Sequence, residues 1–194
     1  MASLFATVEM APRDPILGLN EQFNADTNPN KVNLGVGAYT DDNGKLPVLA
    51  CVAAAEKQML EASKPKGYLP IDGIAAYDKA VQGLLFGADG EIVTAGRACT
   101  VQALGGTGGL RVGADFLRRF APGAQVWISD PSWENHRALF EAAGFTVNAY
   151  PYYHAPTKGL DFDGMIGALP RAPEGHVVVL HACCHNPTGA DPDA

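Results

Sequence analysis

Hydrophobic and polar residues follow the period of a helix in two places along the first half of the chain. Residues 49–60 are rich in helix formers, and Pro47 lies near their first turn, so we predict a helix there. Residues 72–86 carry apolar side chains at three-and-four spacing. This predicts a second helix, with Asp72 as its N-terminal cap and Gly87 at its end.

From residue 99 onward, the pattern predicts strands and helices in turn. Short apolar runs predict strands at 99–104, 125–129, 145–150 and 176–182, and amphipathic stretches predict helices at 110–120, 134–143 and 162–169. Such alternation is typical of βαβ units, in which helices cover a parallel sheet. We therefore expect an α/β fold, with a mostly parallel sheet and helices on both faces.

Residues 1–45 differ in composition from the rest of the chain. Three prolines and an Asn/Asp-rich stretch at 24–30 interrupt a mostly extended segment, which ends in a turn at 41–44. We expect residues 1–45 to be an N-terminal arm with the start of a small domain, and residues 46–194 to belong to a larger domain.

Composition and charge exclude several classes of protein. The chain has 194 residues and a net charge of −7, and no cluster of basic residues is larger than a pair, so we expect neither nucleic acid nor a membrane surface as a partner. Its longest apolar run, 48–55, is far shorter than the ~18–20 residues of a membrane span. The first fifteen residues lack the features of a secretory signal, so we expect a cytoplasmic protein with its four cysteines reduced.

A glycine-rich run at 105–109 follows a predicted strand and opens a helix. Ligands of parallel sheets bind in loops of this kind, where glycines let the backbone approach an anion and the helix N-terminus supplies N–H groups. Thr107 adds a hydroxyl donor. The run fits a phosphate, and it equally fits a plain tight turn. It is neither a Walker A loop nor a GxGxxG fingerprint.

A second loop, 129–136, also follows a predicted strand and carries an aromatic and a titratable residue. Trp133 offers a flat face for stacking on a ring, and His136 is able to orient or protonate a ligand. The alternative is a Trp that covers the sheet edge and a His that lies in solvent at the start of a helix.

The third loop, 181–189, contains adjacent cysteines and an Asn-Pro pair. Residues 183–185 suggest a metal site, but we expect none, because consecutive strand residues point to opposite faces and do not converge on one ion. The proline after Asn186 fixes the backbone direction there. An amide held in one orientation suits recognition of a phenolic oxygen or a carboxylate.

Together, these loops resemble those of the aspartate and aromatic amino-acid aminotransferases, a family of fold type I pyridoxal-phosphate enzymes. The similarity spans nearly the whole chain and implies that residues 46–194 are the N-terminal part of the cofactor-binding large domain. The matching motifs are DPILGLNEQF (14–23), KVNLGVGAYTDDNGK (31–45), GYLPIDG (67–73), GGTGGLR (105–111), DPSWENH (130–136), YPYYHAPTKGLDF (150–162) and HACCHNPTG (181–189).

The resemblance implies a pyridoxal 5'-phosphate (PLP) site. Gly106 and Thr107, with Gly108 opening the helix, would hold the cofactor phosphate. Trp133 would stack on the pyridine ring, and Asn186 would hydrogen-bond the ring's phenolic oxygen. Trp133 and Asn186 would also contact the substrate.

The resemblance also implies contacts around the cofactor and between subunits. Gly37 would contact the substrate through its backbone, and His136 and His181 would support the partner of the ring nitrogen. Family members are homodimers with sites at the subunit interface, so Tyr68 would reach the cofactor phosphate of the neighbouring subunit. Residues 1–12 resemble the arm that packs on the partner.

The implied reaction is ping-pong transamination between an amino acid and a 2-oxo acid, which depends on a lysine that forms a Schiff base with the cofactor. None of the seven lysines stands in the family's context for that residue; they are Lys31, Lys45, Lys57, Lys64, Lys66, Lys79 and Lys158. The family's aspartate for the pyridine nitrogen and its substrate-binding arginines are missing too. We therefore expect the lysine downstream of residue 194, and residues 1–194 to be an N-terminal portion that is inactive alone.

Two alternatives stay open at this point. One is a half-length protein that binds PLP or dimerises without catalysis, although a sheet truncated after residue 189 would leave a strand edge uncovered. The other is an unrelated nucleotide-binding α/β domain, against which the missing dinucleotide fingerprint argues. Aspartate and aromatic members share the quoted motifs, so the sequence leaves the substrate preference open.

Overall fold

The computed structural model describes residues 6–10, 17–33, 35 and 37–193. The chain divides into two compact units, residues 1–66 and residues 67–194. The predicted division after residue 45 stays a prediction, as does the arm at 1–12, most of which lies outside the described residues.

Within its described residues, the first unit contains two helices, α1 (Leu17–Ala25) and α2 (Ala50–Ala62). The side chain of Lys31 ties down the end of α1, because its Nζ donates to the carbonyl oxygens of Phe23 and Asp26. Helix α2 confirms the prediction for residues 49–60. It ends where Ser63 adopts a left-handed φ of 42°.

The second unit contains the sheet and the other helices. Its helices are α3 (Ala75–Phe86), α4 (Glu91–Thr94), α5 (Gly105–Phe120), α6 (Glu134–Ala142) and α7 (Phe162–Ala168), followed by a 3₁₀ turn at Leu169–Arg171. Its strands are β1 (Val126–Asp130), β2 (Val147–Pro151), β3 (Tyr153–His154), β4 (Gly159–Leu160) and β5 (Val177–Val178).

Strand β1 lies at the centre of a parallel three-stranded sheet in the order β2-β1-β5. Val126 is the register partner of both Val147 on β2 and Val177 on β5. Strands β3 and β4 form a separate antiparallel pair. Since β1, β2 and β5 run parallel, their carboxyl ends lie at one edge of the sheet.

One face of the sheet packs against α5 and α6. Val126 and Ile128 of β1 share a core with Ala114 of α5 and with Leu139 and Phe140 of α6. These two strand residues are separated by two positions, as strand geometry requires for side chains on the same face.

The opposite face of the sheet packs against α7. Trp127 of β1 and Val178 of β5 pack there with Tyr150, Tyr152 and Met165. A parallel sheet with helices on both faces confirms the predicted α/β class. None of the helices within the described residues is long and apolar enough to cross a membrane.

The strand predicted at 99–104 is wrong, because no strand forms within the described part of that segment. A strand needs a row of backbone partners, whereas here Gln102 N donates to Asp72 O in a single long-range backbone bond. The strand predicted at 176–182 is reduced to β5. Its backbone pairing with β1 ends at Val179, whose N–H donates to Trp127 O, and the chain then leaves the sheet.

Several predicted element ends also shift. Ile74, and not Asp72, is the N-cap of α3, and no side chain caps that helix. Helix α5 begins at Gly105 instead of residue 110, so the glycine run forms its first turn. The other predicted strands and helices from residue 125 to 169 form within two residues of their expected ends.

The buried ring of Phe140 provides a test of the core on the α5/α6 side. Phe140 is 4% exposed, and replacing it by alanine should lower the free energy of unfolding by about 3–5 kcal/mol, measured by urea unfolding of the 194-residue chain. Phe116→Ala is the matched control, because Phe116 is 61% exposed and should cost much less. Equal losses in the two variants would contradict this core.

Candidate functional site

The carboxyl edge of the sheet leads into the loops that carry the predicted site residues. Residues 131–133 connect β1 to α6, and the loop at 181–191 follows β5. The N-terminus of α5 reaches the same region through a side-chain contact, because Asn135 Nδ2 at the start of α6 donates to Thr107 Oγ1 over 3.0 Å. The structure thus brings the glycine run next to the Trp133 loop.

The first turn of α5 presents an open surface to a ligand. Gly105 has a φ of +63°, which favours glycine, and a Cβ added at Gly106 would meet nothing within 4 Å. The first N–H groups of a helix have no acceptor inside the helix, and they lie at its positive end. Because the Thr107 hydroxyl accepts its bond from Asn135, its own hydrogen is left to donate to an acceptor such as a phosphate oxygen.

His136 sits inside the protein at the start of α6. It is 7% exposed, which overturns the alternative of a helix-start histidine in solvent. Its Nδ1 lies 2.9 Å from Ser132 Oγ, and its ring meets the half-buried Trp133 edge-on with centroids 5.2 Å apart. Ser132 and His136 therefore fix the first turn of the helix beside the indole.

Three histidine rings form a continuous row across this edge of the sheet. His181 lies between the other two, with centroid distances of 5.2 Å to His136 and 4.2 Å to His185. Both ring nitrogens of His181 are buried, and among the residues that the structure describes they have no hydrogen-bond partner. A buried polar atom without a partner is costly, so these two nitrogens mark a place where a further polar group would be favourable.

The histidine row is held in the uncharged form. Burial lowers the pKa of His136, and the neighbouring His181 lowers it further. Burial also lowers the pKa of His181, although the carboxylate of Asp191 opposes this effect. Burial and the charge of a protonated His181 likewise lower the pKa of His185. Near neutral pH, this edge of the sheet is therefore polar without carrying positive charge from these rings.

Sequence reasoning missed the role of His185, which it considered only as a metal ligand. His185 is 2% exposed, and both of its ring nitrogens contact hydroxyls: Nε2 lies 2.8 Å from Ser129 Oγ, and Nδ1 lies 2.7 Å from Thr188 Oγ1. Its ring stacks on Tyr152 at 3.8 Å. The only signal in the sequence was its position beside Asn186. Within the described ranges, no group of His, Cys, Asp and Glu side chains is arranged to hold a metal ion.

Three other predicted site residues are exposed. Asn186 is exposed, and its peptide bond to Pro187 is cis. Tyr68 is fully exposed in the second unit. Gly37 belongs to the first unit, where a Cβ added to it would meet nothing within 4 Å.

The histidine row predicts a loss of stability in acid. The pKa values of His136, His181 and His185 in the folded protein lie below the ordinary 6.5. As the pH falls through 6.5, the unfolded chain therefore binds more protons than the folded one, and the free energy of unfolding should decrease. Urea unfolding at several pH values between about 5 and about 8 measures the slope. His181→Phe should flatten it, while His154→Phe, at an exposed site, should not; equal slopes in all three proteins would contradict the prediction.

Comparisons with known proteins identify the family of the chain. A family model described as aminotransferase class I and II matches residues 29–194. Aspartate aminotransferase from Pseudomonas aeruginosa is 63% identical over 189 residues, which are 97% of this chain and 48% of that protein. Aspartate aminotransferase from Escherichia coli is 49% identical, again over 97% of this chain and 48% of the relative.

Solved structures give the same result. The aromatic-amino-acid aminotransferase from Burkholderia pseudomallei, covalently bound to pyridoxal phosphate, superposes with a TM-score of 0.94 and 66% identity, covering 99% of this chain and 48% of that one. The aromatic amino acids aminotransferase from Psychrobacter sp. B6, cocrystallised with aspartic acid, gives a TM-score of 0.93 and 44% identity. The match covers 98% of this chain and 48% of that one. The chain spans about half the length of the relatives it matches, and it belongs to the class I and II aminotransferase family.

Proposed function

We propose that this chain is the N-terminal half of a PLP-dependent aminotransferase that transfers the amino group of aspartate or an aromatic amino acid to 2-oxoglutarate. The observation that carries the proposal is the unbroken similarity to aspartate aminotransferase over 97% of the chain. The relatives include proteins named for aspartate and for aromatic amino acids, so both substrate classes belong to the proposal.

The first turn of α5 supports a phosphate site for the cofactor. The amides of Gly106 and Thr107 lie at the positive end of the helix, and the Thr107 hydroxyl has a hydrogen to donate. A Cβ at Gly108 would lie 3.2 Å from Leu104 Cβ, so a side chain there would require Leu104 to shift slightly. We assign Gly106, Thr107 and Gly108 to the phosphate because a helix N-terminus with a hydroxyl donor suits a doubly charged anion.

The loops after β1 and β5 support contacts with the cofactor ring. Trp133 is half-buried against His136 and offers its other surface for stacking. Asn186 is exposed, so its amide is accessible to the phenolic oxygen and to the substrate carboxylate. The two unpartnered nitrogens of His181 fit the proposed supporting role, in which His136 and His181 face the group that pairs with the ring nitrogen.

PLP supplies an electron sink for the carbanion that forms when an amino acid loses its Cα proton. In the proposal, the residues of this chain bind and orient the reactants. Thr107 and the α5 amides anchor the phosphate, Trp133 limits the tilt of the ring, and Asn186 and the backbone of Gly37 orient the substrate. None of the seven lysines of this chain stands in the family's context for the Schiff base, so no residue of this chain is assigned as the catalytic base.

The proposal includes a homodimer with its sites at the subunit interface. The full exposure of Tyr68 suits a side chain that contacts the phosphate bound to a neighbouring subunit. The domain division at residue 45 and a cytoplasmic location are also part of the proposal. The relatives include aspartate aminotransferases named as cytoplasmic, such as that of Dictyostelium discoideum.

An assay of the full-length protein tests the proposed function. We expect it to transfer amino groups to 2-oxoglutarate from aspartate, tyrosine or phenylalanine when loaded with PLP, and we expect the 194-residue chain alone to be inactive. The rates with the three donors would establish the substrate preference. A full-length protein that is folded and PLP-loaded but inactive with all three donors would refute the proposal.

Replacement of Thr107 tests the phosphate site. Thr107→Val keeps the shape of the side chain but removes the hydroxyl, and a hydrogen bond to a charged group contributes about 1.5–3 kcal/mol, so PLP affinity of the full-length protein should fall about tenfold to hundredfold. Equilibrium titration with PLP measures the change. Thr157→Val is the control, because Thr157 is exposed and bonds only locally to His154. An unchanged Kd in Thr107→Val would remove Thr107 from the site.

A further inference from the structure

The imidazole of His185 links the loop after β5 to the central strand. Ser129, near the carboxyl end of β1, is 2% exposed, and its Oγ lies 2.8 Å from His185 Nε2. On the other side of the ring, Nδ1 contacts Thr188 Oγ1 at 2.7 Å. An uncharged ring offers one donor and one acceptor, and a hydroxyl can serve as either, so both contacts are satisfied together.

The backbone of the same loop is fastened on both sides of Asn186. The carboxylate of Asp191 accepts from the N–H groups of Cys184 at 2.6 Å and His185 at 2.8 Å. The N–H of Gly189 donates to His185 O at 2.7 Å. These bonds close the loop on itself. Two side-chain bonds attach it to the rest of the unit: the Ser129–His185 contact, which reaches β1, and the bond that the Tyr152 hydroxyl donates to Ala190 O at 2.8 Å.

Asn186 has no comparable anchor of its own. Its side chain is exposed, and within the described part of the chain it makes no hydrogen bond. The position of the Asn186 amide relative to the sheet is therefore set by the anchored residues on either side, His185 and Thr188. Thr188, two residues on, is held by the ring of His185, so the segment from 185 to 188 moves with that ring.

We propose that His185 is a positioning residue for Asn186: through its bonds to Ser129 and Thr188, it holds the Asn186 amide at the distance from the sheet at which the amide meets the cofactor. The inference rests on the proposed function, in which Asn186 donates to the phenolic oxygen of PLP. His185 itself touches neither cofactor nor substrate in this assignment, because it is buried behind the loop.

The cofactor's own titration reports the contact. A hydrogen bond donated to an ionised oxygen favours the ionised form, so loosening the Asn186 amide should raise the pH midpoint of the visible absorbance of enzyme-bound PLP. In full-length His185→Phe, which keeps a ring for stacking on Tyr152 but loses both hydroxyl contacts, we expect the midpoint to rise by roughly half a pH unit to one unit, and kcat to fall more than KM rises.

Two further variants separate positioning from general stability. His185→Gln retains a polar atom for Ser129 and should restore part of the shift. Asn148→Ala is the control, because Asn148 Nδ2 donates to Gln125 Oε1 at 2.8 Å beside the start of β1, so the variant loses a part-buried side-chain bond on the same sheet without touching Ser129 or the loop. It should lower stability and leave the midpoint unchanged.

The outcomes are distinguishable. If the PLP-loaded wild-type protein is inactive with all three donors, the proposed function fails; if it is active but its cofactor absorbance does not change with pH, the positioning role fails. If the wild type is active but the midpoint in His185→Phe equals that of the wild type, or moves equally in Asn148→Ala, the positioning role is refuted. Should His185→Phe not fold, Ser129→Ala removes the same attachment from the strand side; a shift of the same sign supports the role, and an unchanged midpoint refutes it.

Discussion

Parallel hydrogen bonding along both sides of β1 holds the second unit together. The strand pairs with β2 on one side and with β5 on the other, and its side chains enter two separate cores. Burial of Val126, at 0% exposure, anchors α5 and α6 on one face, while Trp127 lies in the core beneath α7. The register of the strand also decides that Ser129 points toward the loop after β5. A slip of one residue would turn Ser129 away and bury Asp130 instead.

Charge is distributed unevenly over the site. The histidine row carries little positive charge near neutral pH, because burial favours the neutral imidazole. The nearby carboxylate of Asp191 has a lowered pKa, chiefly because the backbone N–H groups of His185 and Cys184 donate to it. Its negative charge is thus stabilised by N–H groups of its own loop. The N-terminus of α5 is therefore the part of the site that attracts an anion, while the loops that carry the histidine rings are polar but uncharged.

Local signals allowed most of the sheet and much of the site to be predicted from the sequence. The apolar runs around Val126 and Val147 and the helices between them have strong periodicity and form near their expected ends. The strand prediction for 99–104 was wrong because a strand needs a neighbouring strand to pair with, and periodicity along the chain does not reveal one. His185 was missed for a related reason: its importance comes from Ser129, which is 56 residues away, and no local pattern records such a contact.

The distance along the chain between Ser129 and His185 also bears on when the site forms during synthesis. Pairing of β1 with β2 needs only residues up to about 151, so most of the α5/α6 core is available to a nascent chain before the loop at 181–191 leaves the ribosome. The Ser129–His185 bond closes a span of 56 residues and requires β5 to be in register first. Vectorial folding would therefore give a packed scaffold early and an ordered carboxyl edge of the sheet late.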